Sequence, residues 1–195
     1  MRTITIILLI NVGLLSSCNP YRYELMSTEN NKFLDGVILS HFEKIEKIDK
    51  NSIIIKPGGI TSIRKQELTN LTFQTNFLSS GSNSFNVYLR TVRHEFDEKT
   101  GVRIEISDRD MKIYENDKLI AEKKHNLTDN YCRNKHGLNY LKIVSEGQSI
   151  IIELDCNPKT YIKSELTLSE YVILQNNSEE DLSLNGITIE KSLEK

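Results

Sequence analysis

From residue 52 onward the chain is a succession of short runs in which apolar and polar residues alternate. Phe85, Val87 and Leu89 alternate with Asn86, Tyr88 and Arg90. Val102, Ile104 and Ile106 alternate with Arg103, Glu105 and Ser107, and Leu141 and Ile143 interleave with Tyr140, Lys142 and Val144. Similar runs cover 52–56, 68–78, 148–155, 170–175 and 182–190. Period two sends successive side chains to opposite faces, so these runs predict half-buried antiparallel strands. Gly, Asn and Asp fall between them, and Pro57-Gly58-Gly59 is a turn signal. Many short strands at close spacing predict an all-β sandwich or barrel. One stretch competes: Leu34, Ile38, His41, Phe42, Ile45 and Ile48 sit at helical spacing and predict an amphipathic helix over 33–48.

The first residues follow other rules. Met1-Arg2-Thr3 carries one positive charge, and an apolar run from Ile4 to Leu15 ends at Ser16-Ser17-Cys18. This is the layout of a secretory signal, and the run is shorter than the roughly 20 apolar residues of a spanning helix. Leu15-Ser16-Ser17-Cys18 resembles the lipobox of bacterial lipoproteins. That implies cleavage after residue 17 and lipid on the Cys18 thiol, the alternative being an ordinary signal peptide with an incidental cysteine. Two or more acyl chains anchor a protein stably without a spanning helix. Residues 18–32 then read as a polar tether and 33–195 as the folded domain. The expected location is the bacterial cell envelope. Asn19-Pro20-Tyr21 brings no acidic stretch that would indicate export to the surface, so the domain is expected to face the periplasm.

Composition narrows the chemistry. The net charge is −2 and the basic residues form no stripe, which argues against nucleic acid as a partner. An oxidising envelope predicts a disulfide between Cys132 and Cys156, with two buried thiols as the alternative. His41, His94, His125 and His136 are scattered singly and no Cys-x-x-Cys spacing exists, so no metal or other cofactor is predicted. A serine-hydrolase elbow is absent. Glu153-Leu154-Asp155 lacks the third carboxylate of the strand motif that some jelly-roll glycanases use. The polar run at 94–98 reads as a solvated loop.

The order of the segments resembles the concanavalin A-like jelly-roll domain of the 3-keto-disaccharide (3-keto-glycoside) hydrolase-like family, collinearly from about Phe33 to Lys191. The carrying residues are Phe33-Leu34-Asp35-Gly36 with Leu39 and Phe42, then Lys56-Pro57-Gly58-Gly59, and Leu71-Thr72-Phe73-Gln74. They continue with Asn83 to Arg90, Gly101 to Asp108, Leu138 to Ile143 with Gly147, Tyr171 to Gln175, and Ile187-Thr188-Ile189. The resemblance implies an antiparallel two-sheet jelly-roll sandwich with a carbohydrate-facing concave side, and an extended segment in place of the helix over 33–48. In that family a ketone acidifies the neighbouring sugar C–H, and a general base drives elimination.

Departures bear on function. Arg103 stands where the family pattern has Glu, Glu105 where it has Gln, and Asn177 where it has His. The chain has no Trp. A guanidinium stays protonated and is no substitute for a carboxylate base. Glu105 and Asp108 are therefore the candidate catalytic residues, and Arg90, Arg103 and Asn177 the candidate ligand contacts. Tyr88 and Tyr140 are candidates for the sugar stacking that Trp would supply. Three functions stay open: a non-catalytic or degenerate glycan-binding module, an active 3-keto-glycoside hydrolase, and a structural or assembly lipoprotein that shares the fold. No oligomeric state is indicated.

Overall fold

The alternating runs become strands of two stacked antiparallel sheets. The computed structural model describes residues 37–40, 44–64, 70–78, 84–91, 100–127, 136–167 and 171–191. The strands are β1 (Val37–Ser40), β2 (Ile45–Asp49), β3 (Ser52–Ile55), β4 (Ile60–Arg64), β5 (Leu71–Phe77), β6 (Ser84–Thr91) and β7 (Val102–Ser107). They continue as β8 (Asp110–Glu115), β9 (Lys118–Lys124), β10 (Asn139–Glu146), β11 (Ser149–Leu154), β12 (Thr160–Lys163), β13 (Tyr171–Asn176) and β14 (Leu182–Lys191). The front sheet has the order β1-β4-β13-β6-β7-β8-β9, the back sheet β12-β11-β10-β5-β14-β3-β2. Sequence-distant strands lie side by side in both, as in a jelly roll. Cys18, Cys132, the signal and tether segments and the run at 94–98 lie outside the described residues.

Where the apolar spacing predicts a helix over 33–48, the described residues form strands at 37–40 and 45–48 instead. Val37–Ser40 pairs with β4 and Ile45–Asp49 with β3. Backbone pairing at both sheet edges outweighs a weak helical period, and the extended segment implied by the resemblance is what is found. The inward half of each alternating run builds one core. Ile53, Phe73, Phe77, Phe85, Val87, Leu89, Ile104, Leu141, Ile143, Leu174 and Leu184 all belong to it. Phe77 of the back sheet meets Phe85 of the front sheet edge to face, at 4.9 Å between ring centroids. No helix among the described residues is long and apolar enough to cross a membrane.

Turns fix the register of the site. Asn116 and Asp117 both have positive φ, 47° and 64°, the conformation of a two-residue type I′ hairpin. That turn joins β8 to β9 and is held by Asn116 Oδ1, which accepts from Gly101 N at 3.2 Å. Gly101 itself has φ of 88°, and a Cβ there would lie 2.8 Å from the Leu89 carbonyl oxygen. The β7–β8 hairpin is held by Ser107. Its hydroxyl donates to Asp110 Oδ1 at 2.8 Å and accepts from Asp110 N at 3.0 Å. At the edges the sheets are clasped: Lys123 of β9 donates to the Pro158 and Lys159 carbonyls and to Thr160 Oγ1, at 3.0–3.3 Å.

Candidate functional site

The side of the front sheet facing away from the core carries the chemistry. Strand register gives it two rows. One runs across Ile60, Gln175, Asn86, Glu105 and Lys112, and the next across Ser62, Ile173, Tyr88, Arg103 and Tyr114. Residues directly opposite each other on a sheet face have Cβ atoms about 5 Å apart, so each row is a line of touching side chains. Tyr88 is 2% exposed, Asn86 and Ile173 3% and Tyr171 5%, although all four point away from the inter-sheet core. Tyr88, Tyr171 and Ile173 form their own apolar cluster, flanked by Ile60. The middle of this face is therefore not a flat, solvated surface.

Polar groups on the face are partly joined to one another. Asn86 Nδ2 donates to Gln175 Oε1 at 2.8 Å and to Tyr88 Oη at 3.0 Å, and Tyr88 Oη donates to the same Gln175 Oε1 at 2.8 Å. The Arg103 guanidinium lies 4.0 Å from the centroid of the Tyr114 ring, in cation–π contact. Its Nη2 stands 3.5 Å from Asp117 Oδ1 in the hairpin turn. Asn86 Oδ1, Arg103 Nε and Ser62 Oγ are buried without any hydrogen-bond partner. Each such group costs about 1–3 kcal/mol in a folded protein. Buried to this degree, they are groups that an ordered water, rather than a ligand arriving from outside, would meet.

The candidates from sequence divide. Arg103 and Glu105 share the face and lie two residues apart on β7. Asn177 prolongs it: its N–H donates to the Ser84 carbonyl at 3.0 Å, two register positions beyond Gln175 and Asn86. Asp108 does not join them. It sits in the β7–β8 turn, buried, on the core side of the alternation, and its carbonyl accepts from Leu127 N at 3.0 Å.

Arg90 also leaves the face. By alternation it belongs beside Asn86 and Tyr88, but its φ is 56° and the pairing of β6 with β13 shifts register at this point. The bulge turns the side chain toward the back sheet. There Nε donates to Ser145 Oγ at 3.1 Å, Nη2 to the Ser149 carbonyl at 3.0 Å, and Nη1 to the carbonyls of Ser164 and Leu166. Burial lowers its pKa from the usual arginine value, and Glu115 opposes that shift. Arg90 is an inter-sheet clamp. Tyr140 lies on the outer side of the back sheet, where its hydroxyl donates to Gln74 Oε1 at 2.8 Å. Burial, then the Glu153 carboxylate, raise its pKa. It does not reach the site.

Asn86, Gln175, Lys112 and Tyr114 escaped the sequence reading. The last two lie on a hairpin whose turn, Asn116-Asp117, is the signal that points to them. No group of three or more His, Cys, Asp or Glu side chains among the described residues is placed to hold a metal.

No protein-family model matches the chain, and no curated protein is significantly similar to it in sequence. Solved structures are similar in fold. A putative glycosyl hydrolase from Parabacteroides distasonis aligns with a TM-score of 0.57 at 16% identity, over 88% of this chain and all of the other. A protein of unknown function with a galectin-like fold from Bacillus subtilis gives 0.55 at 7% identity, over 89% of this chain and all of that one. The carbohydrate-binding module CBM66 from Bacillus subtilis gives 0.51 at 17% identity, over 71% and 86%. With its two antiparallel sheets and these neighbours, the chain is an all-β jelly-roll sandwich of the galectin and concanavalin type.

Proposed function

We propose that the chain is a glycan-binding module whose site is the outer side of the front sheet, centred on Arg103, Glu105, Tyr114 and Gln175 over the buried Asn86 and Tyr88. The observation that carries this is the set of half-buried polar side chains on that face, Gln175, Glu105 and Lys112 in one row and Arg103 and Tyr114 in the next. A sugar hydroxyl both donates and accepts, so one ligand class can meet an amide, a carboxylate and a guanidinium together. Tyr114, half-buried, supplies apolar surface of the kind a sugar's C–H face needs. Support also comes from the fold, shared with a carbohydrate-binding module.

Titration calorimetry of the mature chain against a panel of oligosaccharides tests the reading. Binding is expected, weakened at least tenfold, about 1.4 kcal/mol, by Arg103→Ala. Tyr161→Ala, at a 71% exposed position on the back sheet's edge strand, is expected to bind as the parent does. An affinity that Arg103→Ala leaves unchanged counts against the site.

A second reading, 3-keto-glycoside hydrolysis, is favoured by one observation: Glu105 has neither an ion pair nor a hydrogen bond among the described residues. In this reading Glu105 is the base. Turnover of a 3-keto-glucoside that persists in Glu105→Gln rejects that role.

The module is proposed to be tethered in the envelope by lipid on Cys18, with Cys132 paired to Cys156. Local geometry supports the pair. Asn139 Nδ2 donates to the Leu127 carbonyl at 3.1 Å and to Asp155 Oδ2 at 2.7 Å. Both ends of the segment that contains Cys132 are thus held next to Cys156. Intact mass spectrometry is expected to show the loss of residues 1–17, a gain of acyl mass on Cys18, and a two-proton increase on reduction. An unacylated Cys18, or no change on reduction, contradicts the respective assignment.

A further inference from the structure

We infer that the glycan taken by this face carries an acetamido group, whose carbonyl is received by Gln175 and whose methyl rests on Ile60. The inference rests on the glycan-binding reading and adds the class of sugar. It follows from the way Asn86 and Tyr88 fix the Gln175 amide. Gln175 Oε1 accepts from Asn86 Nδ2 and from Tyr88 Oη, both at 2.8 Å. Asn86 is 3% and Tyr88 2% exposed, so the two donors form a buried floor that commits this oxygen inward. Reversing both amides would bury the Asn86 amino group, with two hydrogens to satisfy, where now one carbonyl oxygen is unmet; a buried orphan N–H is the rarer and costlier of the two. The Gln175 amino group is thereby turned away from the floor. Gln175 is half-buried, and its Nε2 meets no acceptor among the described residues. The face thus presents a positioned donor with no lone pair to offer.

The surroundings of that donor select its acceptor. Ile60 of β4 stands in register with Gln175, half-buried, and packs against the apolar cluster of Tyr88, Tyr171 and Ile173. Side chains so placed have Cβ atoms about 5 Å apart. A sugar hydroxyl that accepts from Gln175 on this side brings its own hydrogen to an apolar neighbour, and a polar hydrogen taken out of water without an acceptor costs free energy. An amide carbonyl takes the same donor and brings no hydrogen with it. In a trans amide the N–H points from the opposite edge of the plane, away from the floor, and the methyl lies beside the carbonyl, where Ile60 offers apolar surface to bury it.

The test uses chito- and cello-oligosaccharides of equal length, which differ only in the acetamido group at C2 and are both uncharged. Each is titrated into the protein, into Gln175→Glu and into Ile60→Ala. Glutamate keeps an oxygen for Asn86 and Tyr88 and replaces the outward donor with an acceptor. The acetamido member is expected to bind the parent at least about tenfold more tightly. In Gln175→Glu the gap is expected to close to within roughly threefold, and Ile60→Ala, which keeps the donor, to narrow it by about threefold. Equal or tighter binding of the cello-oligosaccharide by the parent overturns the inference and leaves the glycan-binding reading standing. A preference that Gln175→Glu does not change overturns Gln175 as its source. Binding of neither sugar sinks the inference, and a silent panel of other oligosaccharides sinks the glycan-binding reading with it.

Discussion

Arg90→Met is expected to cost the fold about 3–4 kcal/mol and to lower its melting temperature by roughly 10 °C. Methionine keeps the aliphatic stem and removes every N–H. The carbonyls of Ser149, Ser164 and Leu166 and the Ser145 hydroxyl then lose their donor inside the sandwich. An unmet buried acceptor costs about 1–3 kcal/mol, and local rearrangement recovers part of the sum. The left-handed backbone at Arg90 argues the same way. A non-glycine residue at positive φ costs about 1–2 kcal/mol, which the four partners must outweigh. Arg90→Lys is expected to rescue little, since an ammonium on a flexible stem cannot span partners set out for a planar fork. Chemical denaturation reads the effect; unchanged stability of Arg90→Met removes the clamp from the account.

Asn176→Ala is expected to cost about 2–4 kcal/mol. Asn176 is fully buried at the end of β13. Its Nδ2 donates to the Ile55 carbonyl at 2.7 Å and the Glu180 carbonyl at 2.8 Å, while its Oδ1 accepts from Ser178 N at 2.9 Å and from the Ser178 hydroxyl. One amide thus joins a front-sheet strand to a back-sheet strand and shapes the turn at 177–181. Asn176→Asp keeps the volume but sets a third oxygen against two carbonyls. It is expected to be at least as damaging as Asn176→Ala, which separates lost bonds from a lost side chain. A stable Asn176→Asp in thermal melts contradicts this assignment. Asn176 also flanks Gln175, so a loosened turn is expected to weaken the glycan face next to it.

The strands that alternate cleanly were legible in the sequence. Val102–Ser107 appears where its pattern places it, and its outward half, Arg103 and Glu105, lands on the site face. The hairpin of β8 and β9 was not read, because β9 is an edge strand whose Leu119 and Ile120 are exposed and whose pattern lacks a buried side. Tyr114 and Lys112 went with it. Arg90 shows the other limit. Alternation alone puts it beside Tyr88, and only the bulge at φ 56° reverses it. Asp108 was read on the site face as well, but it follows the inward parity of Ile104 and Ile106 into the turn. Gln175 and Asn86 meet through pairing of strands distant in sequence, which no local pattern encodes.

The central claim is that the outer side of the front sheet binds glycan. Nuclear magnetic resonance of the protein during titration with an oligosaccharide tests it most directly. The account predicts that signals of Asn86, Tyr88, Arg103, Glu105, Tyr114 and Gln175 move together along one saturation curve. Saturable shifts confined to the outer side of the back sheet, around Gln74, Tyr140 and Lys142, would contradict it.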